Sequence, residues 1–534
     1  MNILKKTFLG ASLIRSGFIV DGSGKKGFYG DVLFDRHKIL AVAKEKQIPQ
    51  TGKDVIDCRR KKIVCPGFID MHSHSDTVPF KIPHLDSKIC QGITCEVIGN
   101  CGLTPFPCGK WNHLHLADVY HMKGSNRWTT FRSYGKDLEK TRPGLHLVPL
   151  VGQGTLHSFY RGYERKPAAA SYLQKFRRKC RECFNQGAWG ISLGLIYPPG
   201  CFIESRELME VFRGAKESGC VVTAHMRDEG DRVEEALIEL LEKARQTRAR
   251  LHISHMKVSG KRNWKKVTSI LGEIRAARRD GLQITADRYP YTASWTDLDT
   301  VLPDFIYEKG HKKEIEWLKV KEKREKVREV FFENPAHRDN DFFRSVLISQ
   351  ARGEKAKVFE GKTLEDLSRM TQKDPFDALC DLLVETRLMV TAVFFGMCER
   401  NMEKIILEPY TVIGTDSSAK SFDKSAGKPH PRAYGTFPKF IEHFIKSGKI
   451  NLEKGIRKCT GLSSDILGLK NTGYLKPGYQ ADIVVFDMDR IRDMSTYTNP
   501  VVRPLGIDYV FVGGILAQSH GQTAKERNGH VILR

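Results

Sequence analysis

The sequence contains no apolar run long enough to cross a lipid bilayer, which takes about 20 residues. It also lacks internal repeats and low-complexity tracts, which excludes solenoid and fibrous architectures. The short apolar run within residues 1–14 is followed by Arg15 and carries no small-residue cleavage pattern, so we predict no secretory signal there. Together these absences predict a soluble, cytoplasmic protein with no membrane partner.

Cysteine is present, but not in the pattern of a disulfide framework. The 13 cysteines are odd in number and irregularly spaced over 534 residues, which predicts reduced thiols. Hydrophobic residues make up 40% of the chain, enough to bury a large core. At roughly 100–200 residues per domain, the length fits either several domains or one large barrel with an accessory domain.

Acidic residues are scarce relative to basic ones. The chain has 87 Lys and Arg against 63 Asp and Glu, a formal net charge of +24. Such a charge raises nucleic acid as a possible partner. However, the basic residues are spread over amphipathic stretches such as 175–179 and 312–328, without a zinc finger, an RNP sequence or a basic zipper. We therefore predict solvated helix faces and no nucleic-acid partner.

Two β-rich ends, residues 12–65 and 480–534, flank a middle of different texture. In the middle, apolar strand-like runs alternate with charged helical stretches, which is typical of a parallel α/β sheet or barrel. Eight runs of this kind predict a TIM-like (β/α)8 barrel spanning residues 66–470. The runs are 68–74, 93–100, 146–152, 187–195, 221–226, 251–257, 282–291 and 410–416.

The gap between the seventh and eighth runs is too long for a single helix. It contains a Lys- and Glu-rich helical stretch, and an insertion of this size above a barrel face is typical of an active-site lid. We predict an inserted lid subdomain at about 296–345.

Chemistry in such a barrel takes place at the carboxyl ends of the strands, so polar residues there are candidates. The first run ends with His72 and His74, whose spacing of two places both side chains on one face. The second ends with Cys101 between glycines, a tight turn that presents a thiol, and thiolate is a good zinc ligand. Taken alone, the two histidines are more typical of ordinary loop residues, and Cys101 of a structural or incidental cysteine.

The later runs add three candidates of the same kind. The fifth and sixth runs end with His225 and His255, one βα unit apart and at equivalent heights. The eighth ends with Asp416, a carboxylate suited to accept a proton from a metal-activated water, or alternatively to cap a following helix. Chance rarely places this many ligand-type residues at strand ends, so we predict a metal site.

Eight short motifs occur in order along the chain and together resemble the N-acyl-D-amino-acid deacylases (D-aminoacylases) of the amidohydrolase superfamily. The resemblance runs from about residue 13 to about residue 515 and implies a zinc hydrolase whose β-rich ends, 1–65 and 471–534, join into one small β-sandwich domain. The motifs are Pro66-Gly-Phe-Ile-Asp-Met-His-Ser-His74, Gly99-Asn-Cys-Gly102, Gly194-Leu-Ile-Tyr-Pro-Pro-Gly200, His225-Met-Arg227, Ser254-His-Met-Lys257, Tyr289-Pro-Tyr-Thr-Ala293, Gly414-Thr-Asp416 and His430-Pro-Arg432.

The same resemblance implies roles for individual residues. A tightly bound Zn2+ would be held by Cys101, His225 and His255, and His72 and His74 would form or help form a second, weaker site. Asp416 would be the general base and acid. The implied substrate-binding residues are Arg432, Tyr197, Lys257, Tyr289 and Ser294. Arg432 suits a bidentate contact with the amino-acid carboxylate, whereas the family's serine is displaced by one position at Ser294-Trp295.

The implied activity is zinc-dependent hydrolysis of the amide bond of N-acyl-D-amino acids, a small-molecule substrate, releasing a carboxylate and a free D-amino acid. One alternative is a hydantoinase or dihydroorotase, in which a carbamylated lysine on the fourth strand bridges two metals; residues 190–195 contain no lysine. A peptidase acting on dipeptides with a D-residue is a second alternative. A non-catalytic basic scaffold is the third, and metal analysis separates it from the enzymes.

Overall fold

The computed structural model describes residues 11–49, 54–120, 128–339, 341–423 and 427–534. Residues 1–10, which carry most of the segment for which we predict no secretory signal, lie outside this part of the chain. The described strands are β1 Ser12–Ile19, β2 Phe28–Phe34, β3 Ile39–Lys44, β4 Asp54–Asp57, β5 Ile63–Pro66, β6 Phe68–Asp70, β7 Ile93–Ile98, β8 His146–Pro149, β9 Val151–Gly152, β10 Gly190–Gly194, β11 Val221–His225, β12 Arg250–Ile253, β13 Ile284–Arg288, β14 Ala293–Asp297, β15 Val346–Ala351, β16 Val390–Phe395, β17 Thr411–Ile413, β18 Ile483–Phe486, β19 Ile507–Val512, β20 Ile515–Ser519 and β21 Gln522–Thr523.

Helices fill the connections between the strands. Among the residues that the structure describes, every helix is too short or too polar to cross a bilayer. The helices are α1 Asp86–Ile89, α2 His113–Tyr120, α3 Phe131–Lys140, α4 Gln153–Arg161, α5 Ala170–Asn185, α6 Ser205–Glu217, α7 Val233–Thr247, α8 Val267–Arg279, α9 His311–Lys319, α10 Lys321–Glu333, α11 Glu354–Lys357, α12 Leu364–Thr371, α13 Pro375–Glu385, α14 Glu399–Leu407, α15 Arg432–Phe440, α16 Leu452–Cys459 and α17 Gly461–Leu467.

The middle of the chain forms the predicted barrel, and all eight apolar runs become parallel strands. One sheet has the order β17-β13-β12-β11-β10-β9, and β6-β7-β8 form the rest, with β8 leading directly into β9. The ring closes between β17 and β6, because Met71 N donates to Ile413 O at 3.3 Å and Ser73 pairs with Ser417. The barrel strands are almost wholly buried because helices cover the outside of the barrel.

Strands from both chain ends form one nine-stranded sheet. Its order is β21-β20-β19-β18-β5-β1-β2-β3, with β4 also paired to β1, so that β18 joins the two ends at β5. Phe34 on β2 and Phe511 on β19 are four strands apart, about 19 Å in a flat sheet at 4.8 Å per strand. Their ring centroids are only 4.9 Å apart. The sheet therefore folds over on itself around an apolar core, as expected for a small sandwich.

The insertion between β13 and β17 has a hydrophobic core of its own. β14, β16 and β15 pair antiparallel in that order, and helices α9–α13 pack against them around residues such as Leu298, Phe331 and Phe376. The unit runs from Ala293 to Phe395 and extends beyond the predicted 296–345. It does so because its first strand, β14, pairs with β16, far later in the chain, and β16 pairs in turn with β15.

Candidate metal centre and active site

Six candidate residues from five different strands meet at one end of the barrel. His72 and His74 follow β6, Cys101 follows β7, His225 ends β11, His255 follows β12 and Asp416 follows β17. Asp416 N donates to His72 O at 2.8 Å, which brings the first and last strands of the barrel together at this point. The next described helix begins at Arg432, so Asp416 does not cap a helix.

Three of these residues have left-handed backbone conformations. The φ angles are +52° at Cys101, +35° at His255 and +50° at Asp416. Non-glycine residues adopt such angles at a cost of roughly 1–3 kcal/mol, and in proteins they concentrate at functional sites. Each sharp turn re-aims its side chain from the end of a strand toward the barrel axis.

The turn at Cys101 is held against the fourth barrel strand. Gly102 N donates to Ser192 Oγ at 3.0 Å, and Ser192 Oγ donates to Gly99 O at 2.5 Å. A Cβ atom on Gly194 would clash with the carbonyl oxygen of Cys101, so this strand must carry glycine where the turn approaches it. The fourth strand thus positions Cys101 without presenting a ligand of its own.

Cys101 lies between two histidines in the buried centre of the cluster. Its Sγ is 3.3 Å from His72 Nε2 and 3.4 Å from His255 Nε2. Burial raises the pKa of the Cys101 thiol, but His72 and His255 outweigh burial and hold the pKa well below its usual value. Cys101 is therefore a thiolate. With Asp416, these three residues place one ligand atom each within 4.8 Å of one another.

His225 completes a second group of possible ligands, with His255 and Glu229. Its ring centroid is 4.3 Å from that of His255. Both ring nitrogens of His225 are buried and form no hydrogen bond with a described residue, although Nε2 lies 3.5 Å from Glu229 Oε2. A buried imidazole normally bonds through at least one nitrogen. An unpartnered imidazole beside a thiolate is the arrangement expected of a metal ligand.

Two carboxylates that were not predicted from the sequence, Glu229 and Asp287, orient His255 and His72 through contacts with their Nδ1 atoms. Glu229 Oε1 lies 3.1 Å from His255 Nδ1, and Asp287 Oδ2 lies 3.2 Å from His72 Nδ1. A carboxylate that accepts from Nδ1 leaves the Nε2 lone pair for a metal, and both Nε2 atoms face Cys101.

Both carboxylates are ionised. Burial raises the pKa of Glu229, but the positive charges of Lys257 and two histidines have the larger effect and hold this pKa below its usual value. Burial also raises the pKa of Asp287, and there the contact with His72 has the larger effect and lowers the pKa. The sequence held weak signals for them. Glu229 stands four residues after His225, and Asp287 is a charged residue inside an apolar strand.

Asp416 bridges the histidine cluster and a buried arginine. Its Oδ1 is 3.1 Å from His74 Nε2 and 3.5 Å from His72 Nε2, and its Oδ2 is 2.8 Å from Arg432 Nη1. Burial raises the pKa of Asp416, but Arg432 and His255 outweigh it and hold the pKa well below its usual value. The carboxylate is thus ionised and faces the space next to Cys101.

The other predicted substrate residues lie around this centre. The Arg432 guanidinium is 4.7 Å from the centroid of the Tyr289 ring, and Arg432 Nη2 donates to Trp295 O at 3.1 Å. Tyr289 Oη is buried without a hydrogen-bond partner among the described residues. Tyr197 packs against His225 with centroids 5.0 Å apart, and Lys257 Nζ is 2.6 Å from Glu229 Oε1.

A cavity of about 340 Å³ opens onto these residues, lined on one side by His74, Cys101, Asp416 and Arg432. The insertion supplies the opposite wall. Its first strand contributes Trp295 and Thr296, whereas Ser294 lies on the same strand outside the cavity lining and opposite Phe394 in the sheet. The structure therefore brings every predicted site residue except Ser294 to this cavity or to the residues directly beneath it.

A family model described as "Amidohydrolase family" matches residues 200–516, more than half of the chain. The chain belongs to the amidohydrolase family. The matched region covers the last four barrel strands, the insertion, and strands β18 and β19 of the small sheet.

Relatives of this amidohydrolase resemble it over nearly the full length. A D-aminoacylase of Alcaligenes xylosoxydans xylosoxydans is 29% identical over 98% of this chain and 97% of its own. The crystal structure of an N-acyl-D-glutamate deacylase from Bordetella bronchiseptica, complexed with zinc and a phosphonate inhibitor, matches with a TM-score of 0.82, 26% identity and coverage of 98% and 99% of the two chains. A D-aminoacylase with a binuclear metal centre matches with a TM-score of 0.81, 28% identity and the same coverage. These matches confirm the predicted barrel fold.

Proposed function

We propose that this amidohydrolase hydrolyses the amide bond of N-acyl-D-amino acids with the help of bound zinc, releasing a carboxylate and a free D-amino acid. The observation that carries the proposal is the Cys101 thiolate, which lies between His72 and His255 with Asp416 beside them at the mouth of the barrel. Relatives of the same length and fold are deacylases of this class.

The donor set fits zinc. Thiolate and imidazole are the ligands zinc prefers, and the buried nitrogens of His225, which form no hydrogen bond with a described residue, are available to bind the ion. We assign the tight site to Cys101, His225 and His255, and the second, weaker site to His72 and His74 with the same thiolate. Bound zinc supplies a Lewis acid that polarises the amide carbonyl and makes water nucleophilic at neutral pH.

Asp416 moves the proton in this proposal. Its carboxylate accepts a proton from the attacking water and then delivers it to the amide nitrogen, because an amine does not leave as an anion. Its ionised state before reaction follows from the contact with Arg432 at 2.8 Å. His74, at 3.1 Å from the other carboxylate oxygen, keeps the group directed toward the centre.

Arg432 and its neighbours hold the substrate. The guanidinium is buried, faces the cavity and is suited to a bidentate contact with the α-carboxylate. Tyr289 offers a hydroxyl with no partner among the described residues beneath the guanidinium, and Tyr197 and Lys257 lie on the His225 and His255 side. Trp295 and Thr296 line the cavity where the sequence motif implied Ser294.

The hydantoinase alternative requires a lysine on the fourth barrel strand. β10 has the sequence Gly-Ile-Ser-Leu-Gly, and its Ser192 supports the Cys101 turn instead. A thiolate supplied by the second strand provides the anionic ligand that carbamylated lysine supplies in that class. This arrangement favours a deacylase of linear amides.

The test is a panel of N-acetyl-D- and N-acetyl-L-amino acids with acidic, aromatic and thioether side chains, incubated with the zinc-loaded enzyme and assayed for free amine. We expect release from D-isomers only. Release from L-isomers alone would overturn the stereochemical assignment and leave the amidohydrolase family intact. No release from any of them at full zinc loading would overturn the proposed reaction.

A further inference from the structure

A second cluster of metal-binding residue types lies on the insertion side of the active-site cavity, away from Cys101. Asp299 belongs to the short helical turn Leu298–Val301, and His311 and Glu314 are one turn apart at the start of α9. All three line the cavity, and each places one potential ligand atom within 4.8 Å of the others. We call Asp299, His311 and Glu314 the lid cluster.

The two carboxylates of the lid cluster have no cationic partner in the described part of the chain, although backbone N–H groups of Asp299 and Thr300 stabilise the Asp299 carboxylate. Asp299 is 8% exposed and Glu314 is 1% exposed. Asp299 Oδ1 and Glu314 Oε1 have no hydrogen-bond partner, and neither side chain forms an ion pair with a lysine or arginine in the described part of the chain. Carboxylates buried to this degree are ordinarily paired with a cation or a hydrogen-bond donor.

Their electrostatics indicate missing positive charge. Burial and neighbouring Asp297 raise the pKa of Asp299 to about 8, and burial with Asp299 and Asp118 raises the pKa of Glu314 well above its usual value. Burial lowers the pKa of His311, which keeps its imidazole neutral with a lone pair available. Either the two carboxyl groups retain a proton, or a cation binds between them.

His311 distinguishes a shared proton from a bound cation. A shared proton involves only the two carboxyl groups, whereas the cluster also brings the neutral imidazole of His311 into reach of both of them. Two carboxylates and one imidazole make a mixed oxygen and nitrogen set that suits zinc and similar divalent transition metals.

We propose that Asp299, His311 and Glu314 bind a divalent transition-metal ion such as zinc at a site separate from the catalytic centre. Asp118 on α2 is the outer partner of this site: its Oδ1 lies 3.5 Å from His311 Nδ1, and its Oδ2 accepts from Tyr163 Oη at 2.8 Å. A carboxylate behind a metal-bound histidine orients the ring. The ion ties helix α9 of the insertion to the turn at Asp299, next to the loop that follows the second barrel strand. The inference does not depend on the proposed deacylase activity.

The experiment compares the zinc content of the purified full-length protein with that of three variants after stripping with a chelator and reloading with zinc. Asp299→Asn with Glu314→Gln in one chain removes the carboxylates and keeps their shapes. Asp304→Asn, which lines the same cavity but pairs with Arg165 at the surface, is the matched control. Cys101→Ser removes the catalytic thiolate.

We expect the double variant to hold about one equivalent less zinc than the wild type and Asp304→Asn to match the wild type. We expect Cys101→Ser to retain the equivalent that the double variant lacks.

Cobalt(II) provides an independent readout of which site is filled. Cobalt on the Cys101 thiolate gives a strong sulfur-to-metal absorption band, whereas the lid cluster has no sulfur. The double variant should keep this band at full strength, which also shows that its barrel is folded, while losing one equivalent of cobalt. Equal metal content in the double variant and the wild type would overturn the proposal and leave a shared proton between Asp299 and Glu314. Loss of all bound zinc in Cys101→Ser would also overturn it.

Discussion

Arg432 Nη1 lies 2.8 Å from Asp416 Oδ2, so the residue we assign to the substrate carboxylate also contacts the proposed general base. Both groups are buried at the end of the barrel, where their attraction is weakly screened. A substrate carboxylate that binds Arg432 competes with Asp416 for the same guanidinium. Binding thus weakens the interaction that keeps Asp416 a poor base.

Asp416→Asn tests the base directly. The amide keeps the shape of the side chain but cannot accept the proton from water, so we expect kcat to fall about 10²–10⁴-fold, the usual range for loss of a general acid or base. Zinc content should stay unchanged. Turnover within a few-fold of the wild type, measured as amine release at saturating N-acetyl-D-amino acid, would show that another group moves the proton.

Arg432→Lys tests the anchor. Lysine keeps the charge but loses the planar, two-pronged contact with a carboxylate, so we expect KM to rise by about tenfold, or roughly 1.4 kcal/mol of binding. Arg503→Lys is a suitable control, since Arg503 packs over the Phe422 ring and does not line the cavity. An unchanged KM in Arg432→Lys would place the substrate carboxylate elsewhere.

Cys101→Ser tests the metal centre. A serine hydroxyl stays neutral where the cysteine is a thiolate, so zinc loses its anionic ligand. Substitution of residues that only hydrogen-bond to metal ligands lowers metal affinity by about 10–100-fold. Because Cys101 is a direct ligand, we expect its substitution to lower zinc affinity by more than about 100-fold. The measurement is zinc affinity by competition with a chelating dye. Cys398→Ser, a half-buried cysteine at the start of α14, should bind zinc like the wild type.

His115 predicts how stability depends on pH. This residue of α2 is 1% exposed, and burial, with His157 and His311 nearby, lowers its pKa to about 3. As the pH falls below the unfolded value of about 6.5, the unfolded chain takes up the proton first, so the contribution to stability is lost from pH 6.5 down toward 3. Between pH 7 and 5 this amounts to about 2 kcal/mol.

His115→Gln should therefore lose less stability than the wild type over that interval, as measured by urea unfolding at the two pH values. The comparison uses the change between pH 7 and 5, because the substitution also affects stability at a single pH. His113→Gln is the control, since His113 is exposed on the same helix. If His115→Gln and the wild type lose the same free energy, the folded protein accepts a proton on His115 without penalty.

The barrel strands and their ligands were predictable from the sequence because both follow from local patterns. Each buried strand is a short apolar run, and a residue such as Cys101 or His255 directly follows the run that carries it. The family motifs supplied the pairing of these residues with zinc. The structure confirms the eight strands and brings the ligand candidates together.

Contacts set by loop conformation and strand register were not predictable in the same way. Glu229 reaches His255 only through the loop after β11, and Asp287 faces inward only because of the register of β13. Ser294 lies outside the cavity although its strand neighbours Trp295 and Thr296 both line it, and nothing in the sequence of this segment indicates which of the three residues reach the cavity. The insertion exceeds its predicted bounds because strand pairing across about a hundred residues leaves no local signal.

The nine-stranded sheet imposes an order of events on synthesis. β5 pairs with β18, and Pro66 lies opposite Ile483, so the edge of β5 stays unpaired until Ile483 has been synthesised. At about 5–20 residues per second, this delay lasts roughly 20–80 s on the ribosome. During that time the apolar β5 strand has one edge without its final partner while the barrel is being synthesised. A chain that stops before β18 would leave this edge open permanently, so premature termination near the C-terminus should produce aggregation and not merely a shorter enzyme.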